Sequence, residues 1–152
     1  MKISKLADYS VVILGAMANQ SHDVMSSAAM AELTRLPEPT VSKVLKLLSK
    51  SDFVRSSRGI NGGYTLIKQP SEITVEQIIG VIDGPIALTA CVDGAQPNCS
   101  LSSACSIRGR WDSVNTAIKS ALEMVTLADM IKTSGVMPTS NNEKEDVVYG
   151  SH

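Results

Sequence analysis

One segment, from Leu36 to Lys68, constrains the fold of this chain more than any other. It begins with the proline-marked turn Leu36-Pro-Glu-Pro-Thr40, continues as a helical pattern over 38–50, and ends in two short strand-like runs around Gly59-Ile-Asn-Gly-Gly63. Proline suits a first helical turn because its missing N–H would have no intrahelical partner there. Glycines permit the tight turn of a β-hairpin. The segment therefore predicts a helix followed directly by a two-stranded β wing.

The predicted helix over 38–50 has one apolar face and one polar, basic face. At about 100° per residue, its apolar positions form a single stripe that predicts burial. A shorter helical pattern, capped by Ser26 or Ser27 and ending near Arg35, precedes it. Two helices joined by a tight turn are typical of a helix-turn-helix, whose second helix enters the major groove of DNA. The buried stripe comprises Val41, Val44, Leu45 and Leu48, and the opposite face carries Pro39, Lys43, Lys46 and Lys50, with Thr40 and Ser42 beside it.

The charge distribution supports a nucleic-acid surface in this segment. The whole chain has a net charge of −1. Between Arg35 and Pro70, seven basic residues stand against two acidic ones, so the segment carries +5 and the remainder −6. Such a basic island is typical of DNA-binding sites, although a solvated surface helix with lysines is the ordinary alternative. The predicted DNA contacts are Thr40, Ser42 and Lys43 to bases, Lys46 and Lys50 to phosphates, Arg58 in the minor groove, and Asn61 in the wing turn.

The remaining patterns are helical. Leu6 to Ala18 predicts a first helix with an apolar face of Leu6, Tyr9, Val12, Ile13 and Ala16. Thr74 caps a helix that reaches about Asp83. A long helix from about Ser106 or Gly109 to Val125 and a short one over 126–132 follow. The long helix repeats apolar residues at helical spacing, which favours a two-fold dimer over packing within one chain. Its stripe is Val114, Ala117, Ile118, Ala121, Leu122 and Val125.

These patterns predict a mainly α fold: a winged helix-turn-helix DNA-binding domain with a two-stranded β wing, plus a long C-terminal dimerisation helix. We expect four parts: residues 1–85 as the DNA-binding domain, 86–106 as a cysteine loop, 107–133 as the dimerisation and terminal helices, and 134–152 as a disordered tail. No run of about 18 apolar residues and no signal peptide is present, which predicts a cytoplasmic protein with no membrane contact. The sequence offers no Ser/His/Asp set and no paired carboxylates at useful spacing, so it does not predict an enzyme.

All three cysteines lie in one short stretch, at Cys91, Cys99 and Cys105. Apart from Val92 and Leu101, the residues between them are small or turn-forming, so the stretch buries little apolar surface and packing cannot order it. Three thiolates converging on one centre would order it, and iron–sulfur clusters and zinc are the centres that thiolates favour. A disulfide framework is not expected from three cysteines in a reducing compartment.

The order and spacing of several pieces resemble the Rrf2 family of winged-helix regulators over about residues 1–132. The start of the chain, Thr40 to Lys43, and Leu88-Thr89 are most similar to the subgroup that regulates SUF iron–sulfur cluster assembly. The matching pieces are Ile3-Ser-Lys-Leu-Ala-Asp-Tyr9, Pro39-Thr-Val-Ser-Lys-Val-Leu-Lys46, Arg58-Gly-Ile-Asn-Gly-Gly-Tyr64, Asp83-Gly-Pro85, the three cysteines, Trp111 and Val125-Thr-Leu-Ala-Asp-Met130.

The resemblance implies a homodimer in which Cys91, Cys99 and Cys105 of each chain hold an iron–sulfur cluster, [2Fe–2S] in preference to [4Fe–4S]. Family members of one kind use a histidine three residues after the third cysteine. That position is Arg108 here, which cannot give up a proton to bind metal. Members of another kind use an aspartate of the partner subunit, and Asp8 matches its position. A solvated carboxylate in a first helical turn is the alternative for Asp8.

The resulting hypothesis is an iron–sulfur cluster-sensing transcriptional regulator that represses cluster-assembly genes, with an operator affinity that depends on cluster state. One alternative is a regulator of the same fold that senses nitric oxide or acts through a thiol or zinc switch. Another is a small iron–sulfur electron-transfer protein, in which the basic island and the wing would have no purpose.

Overall fold

A computed structural model describes residues 2–20, 23–88 and 109–133 of the 152-residue chain. The expected fold class is confirmed, because the chain is mainly helical with one two-stranded antiparallel sheet. Cys91, Cys99, Cys105 and the predicted tail lie outside the described residues. The elements are α1 Lys5–Ala18, α2 Ser27–Thr34, α3 Glu38–Leu48, β1 Val54–Ser57, β2 Gly63–Leu66, a 3-10 turn Pro70–Glu72, α4 Val75–Asp83, α5 Arg110–Glu123 and α6 Leu127–Thr133.

Hydroxyl side chains begin three of these helices. Ser4 Oγ accepts a hydrogen bond from the Ala7 amide at 3.1 Å, and Ser26, not Ser27, accepts one from the Ala29 amide at the same distance. Thr74 and Gln77 form a capping box at the start of α4. Each bond satisfies an amide that has no partner within its own helix. The helix starts therefore follow from local sequence.

The main core lies between α1, α3 and the hairpin, and α2, α4 and α6 each contribute a buried residue to it. The predicted stripe of α3 is confirmed, since all four of its residues are fully buried. Leu127 of α6 is buried in the same core, which holds the end of the described chain against α1. The buried members are Ile13, Leu14, Met17, Met30, Val41, Val44, Leu45, Leu48, Phe53, Val54, Leu66, Ile73, Ile78 and Leu127.

The wing, residues 54–66, pairs Val54 with Leu66 and Ser57 with Gly63. The backbone of Met25 pairs with β2 as an isolated antiparallel bridge. Tyr64 N–H donates to Met25 O at 2.8 Å, and Met25 N–H donates to Tyr64 O at 3.0 Å. A Cβ at Gly63 would lie 2.3 Å from that Met25 oxygen. Glycine is required there because the segment before α2 passes so close to the wing.

Helix α5 is shorter than the sequence predicts, since it ends at Glu123 and not at Val125. Only Ile118 and Leu122 of its apolar stripe pack onto the body, against a second core of Ala7, Val75, Ile79 and Ile86. Val114 remains 42% exposed. One side of α5 is thus open in a single chain. Within the described ranges, no helix has the length and apolar character that a membrane crossing requires.

Candidate nucleic-acid interface

The outer face of α3 and the turn after it carry the three predicted lysine contacts into solvent, because the helix ends at Leu48 and not at Lys50 as predicted. Lys43 and Lys46 lie on the helix, and Lys50 lies in the turn that follows it; all three are exposed. None of them has an ion pair among the described residues. Because the opposite face of α3 is fully buried, the helix has one fixed orientation and presents these charges on one side.

Lys46 and Arg58 line one open cleft of about 460 Å³ between α3 and the wing. Two cations on the walls of a cleft concentrate positive potential there, which favours a phosphate group. Thr40, Ser42, Lys43, Lys50 and Asn61 are not brought into this cleft. Thr40 and Ser42 are half-buried on the first turns of α3, and Asn61 is exposed in the wing turn.

The remaining side chains of the cleft were not predicted from the sequence. Most are hydroxyl groups, which donate hydrogen bonds to phosphate oxygens in protein–DNA interfaces. Ser26 and Ser27 begin α2, whose amino end adds a partial positive charge to the cleft. The helix-cap pattern at these two serines was the one available signal. The hydroxyl-bearing lining residues are Ser26, Ser27, Ser49, Ser56, Ser57 and Tyr64.

Lys68 differs from the other cations of the basic island. Its Nζ lies 2.7 Å from a carboxylate oxygen of Asp52. The hydrogen bond from Lys68 lowers the pKa of the Asp52 carboxyl below its ordinary value. The charge of Lys68 is thus already compensated, whereas Lys46 and Arg58 have no acidic partner among the described residues.

The predicted cluster ligands divide between described and undescribed residues. Asp8 is exposed in the first turn of α1, and its carboxylate has no hydrogen bond to any described group. Cys91, Cys99, Cys105 and Arg108 lie outside the described residues. Within the described ranges, no group of three or more His, Cys, Asp or Glu side chains is arranged to hold a metal ion.

The chain that enters the cysteine loop is described as far as Leu88, and α5 holds it. Asn115 Nδ2 donates to the Ile86 carbonyl at 3.0 Å, and the Leu88 amide donates to Asn115 Oδ1 at 2.9 Å. Ile86 and Ala87 also line a cleft of about 200 Å³ with Lys2 and Ile3, so this segment runs beside the start of α1.

The fold and this cationic surface define a winged helix-turn-helix protein. The model of the Rrf2 family, described as an iron-dependent transcriptional regulator, matches residues 3–133. The chain belongs to this family of transcriptional regulators.

Similar proteins are regulators of the same kind. The HTH-type transcriptional regulator NsrR of Shouchella clausii is 27% identical over 132 residues, which cover 86% of this chain and 89% of that protein. The structure of CymR, the global cysteine regulator of B. subtilis, is 28% identical with a TM-score of 0.65 and covers 88% of this chain and 98% of that one. T. potens IscR is 30% identical with a TM-score of 0.59, covering 87% of each chain.

These relatives agree with the expectation that the chain is not an enzyme. They confirm the predicted family. The closer likeness to the SUF regulators stays a prediction.

Proposed function

We propose that this chain is a homodimeric repressor that binds a double-stranded DNA operator through α3 and the wing. The observation that carries the proposal is the pairing of a fully buried face of α3 with an outer face whose lysines lack acidic partners among the described residues. In this reading Thr40, Ser42 and Lys43 reach base edges in the major groove. Lys46 and the hydroxyls of the cleft hold the phosphate backbone, apart from Ser49, which donates its hydroxyl proton to the Lys46 carbonyl at 2.7 Å. Lys50 adds a further phosphate contact.

Arg58 and Asn61 extend the interface into the minor groove. Arg58 is exposed between β1 and the wing turn. The negative potential of a narrow minor groove attracts an arginine in such a position. Because Arg58 also lines the cleft with Lys46, one DNA backbone strand would pass between α3 and the wing. This single strand would position both Lys46 and Arg58 on the duplex.

The open side of α5 is proposed to form the two-fold interface. Val114 and Ala121 are exposed on this side, while the polar Thr116 lies on another side of the helix. An apolar helix face excluded from the core is stabilised when a second copy covers it. Val114→Glu should shift the protein from dimer to monomer in sedimentation velocity, and Thr116→Glu should leave it dimeric. A dimer that survives Val114→Glu would contradict this interface.

We assign the sensing role to Cys91, Cys99 and Cys105 of one chain together with Asp8 of the partner subunit, which is the ligand set predicted in the sequence analysis. The donor set fits an iron–sulfur cluster, because clusters take thiolate ligands and the exposed carboxylate of Asp8 is not engaged by any described group. When bound, a [2Fe–2S] cluster would supply a centre that responds to iron supply, oxidation or nitric oxide. The regulated genes would be those of cluster assembly.

A thiol switch through the same cysteines is the second candidate. The structurally similar CymR is named a global cysteine regulator, a name that mentions no metal, so the shared fold alone does not require a cluster. A thiol switch would need no metal, whereas the cluster would bring iron and sulfide in stoichiometric amounts. The two candidates therefore differ in a direct chemical measurement.

The experiment is anaerobic purification followed by visible absorbance, iron and acid-labile sulfide determination. The cluster predicts visible absorbance with iron and sulfide in the wild type and loss of all three in Cys91→Ala. Ser100→Ala in the same loop is the matched control and should keep them. A colourless wild-type protein without sulfide, whose operator affinity changes on thiol oxidation, would establish the thiol switch instead.

A further inference from the structure

Asn115 is an unusual residue for the inner face of α5. It is 6% exposed, and the other buried polar side chain in the described part of the chain, Ser10, bonds within its own helix to the Ala7 carbonyl. The Asn115 amide instead bonds to main-chain groups 27 and 29 residues earlier. Both ends of the amide are satisfied, so its burial carries no unpaired polar group.

These two bonds clamp the segment 86–88 between α5 and the body of the protein. The side chain of Ile86 is 7% exposed and belongs to the second core with Ala7, Val75 and Ile79. On the other side of the segment, the carbonyl of Ile86 and the amide of Leu88 are both held by Asn115. The segment is thus fixed on one side by apolar packing and on the other by hydrogen bonds.

The clamp lies at the entrance to the cysteine loop. Cys91 follows Leu88 by three residues in the sequence, so the clamp holds the last described backbone before the first cysteine. Bonds to main-chain groups fix the position of the backbone itself, with a direction and a length that apolar contact lacks. A displacement of the segment 86–88 would therefore act directly on α5 at Asn115.

We infer that Asn115 is a positioning residue that transmits the state of the cysteine loop to α5, and through the dimer to the spacing of the two α3 helices. This inference rests on the proposed function, in which the cysteines sense and α5 pairs the subunits. The two α3 helices of the dimer must enter major grooves about 34 Å apart. A small movement of α5 that alters this spacing therefore changes operator affinity.

The test compares operator affinity of cluster-loaded and cluster-free protein, expressed as the ratio of their dissociation constants. Coupling between two sites commonly amounts to about 5- to 150-fold, and the wild-type ratio should fall in that range. Asn115→Leu keeps the γ-branched shape but removes both bonds, and it should bring the ratio to within about twofold of one. Asn115→Asp keeps the acceptor for the Leu88 amide but places a carboxylate oxygen against the Ile86 carbonyl, so it should also lower the ratio.

Leu122→Ala is the matched control, because Leu122 packs on the same second core without polar bonds. It should lower thermal stability and keep the wild-type ratio, a separation that a merely structural role of Asn115 would not give. Hydrogen exchange provides the second readout: the Leu88 amide should be protected in the wild type and exchange faster in Asn115→Leu, which removes its acceptor.

Two results would overturn the inference while leaving the proposed function standing. One is a wild-type ratio retained by both Asn115 variants, and the other is an equal loss of coupling in Leu122→Ala. A wild-type ratio of one would overturn the proposed switch and this inference together.

Discussion

Replacing Lys46 by alanine should flatten the salt dependence of operator binding and leave the fold intact. Lys46 is exposed, has no acidic partner among the described residues, and lines the cleft with Arg58. The substitution removes none of the buried stripe of α3. Its effect should therefore be confined to the contact between the lysine and a DNA phosphate.

The size of the effect follows from counterion release. Each phosphate contact contributes about 0.9 to the slope of log affinity against log salt concentration, so the two copies of Lys46 in a dimer account for about 1.8. Between 50 and 200 mM salt, a slope difference of about 1.8 corresponds to roughly a 12-fold difference in affinity. The wild type should lose that much more affinity than Lys46→Ala over this range.

The assay is fluorescence anisotropy with a labelled operator duplex at several salt concentrations. Lys68→Ala is the matched control, since it removes the same charge from the same basic island but from a lysine paired with Asp52 at 2.7 Å. Its slope should match the wild type. Equal flattening in both variants, or a Lys46→Ala protein with altered sequence preference and an unchanged slope, would refute the proposed docking of α3.

Three further predictions concern the fold. Gly63→Ala should lower the free energy of unfolding by about 1–3 kcal/mol, because its Cβ would meet the Met25 carbonyl. Gly80→Ala in α4 should raise the free energy of unfolding by about 0.4–1 kcal/mol, because nothing lies within 4 Å of the added Cβ. Changes of the same sign in urea unfolding of the two variants would contradict this. In the same assay, Leu45→Ala should lower the free energy of unfolding by about 2–5 kcal/mol, because Leu45 is fully buried. Leu33→Ala, at a residue that is 47% exposed, should lower it by less than about 0.5 kcal/mol. Comparable decreases in the two variants would contradict the assigned core. The backbone N–H of Thr126, followed by its hydroxyl, lowers the pKa of Asp129 below 3.8. The folded-state pKa thus lies below the unfolded one, so the stabilisation is present above about pH 4 and disappears as the pH falls through the lowered value. Titration of the Asp129 carboxyl carbon by NMR should give this lowered pKa. A pKa of Asp129 that is not raised in Thr126→Ala would exclude the hydroxyl as a cause.

The parts of the fold that follow from local chemistry could be predicted from the sequence. The α3 stripe, the proline in its first turn and the glycine-rich wing each depend on residues close together in the chain. The face of α1 could not be assigned this way, because the helix is apolar over much of its circumference and packs against several elements. The predicted face included Val12, which is exposed, whereas the buried set is Ala7, Ser10, Ile13, Leu14 and Met17.

The site was predictable only in its charged part. Lys46 and Arg58 stand out in the sequence as cations on a helix and beside a turn. Ser26 and Ser27 join them because the segment before α2 pairs with β2 through Met25 and Tyr64, a contact that no local pattern encodes. Asn115 lies on the apolar side of α5, and its partners at Ile86 and Leu88 are defined only by the folded chain.

The most direct test of the central claim is the affinity of the anaerobically purified protein for an operator selected from random duplex DNA, measured for the loaded wild type and for Cys91→Ala. The proposed switch predicts that the two affinities differ by at least about fivefold, while Lys46→Ala weakens both. Equal affinities of the wild type and Cys91→Ala would contradict a regulator whose DNA binding depends on its cysteines.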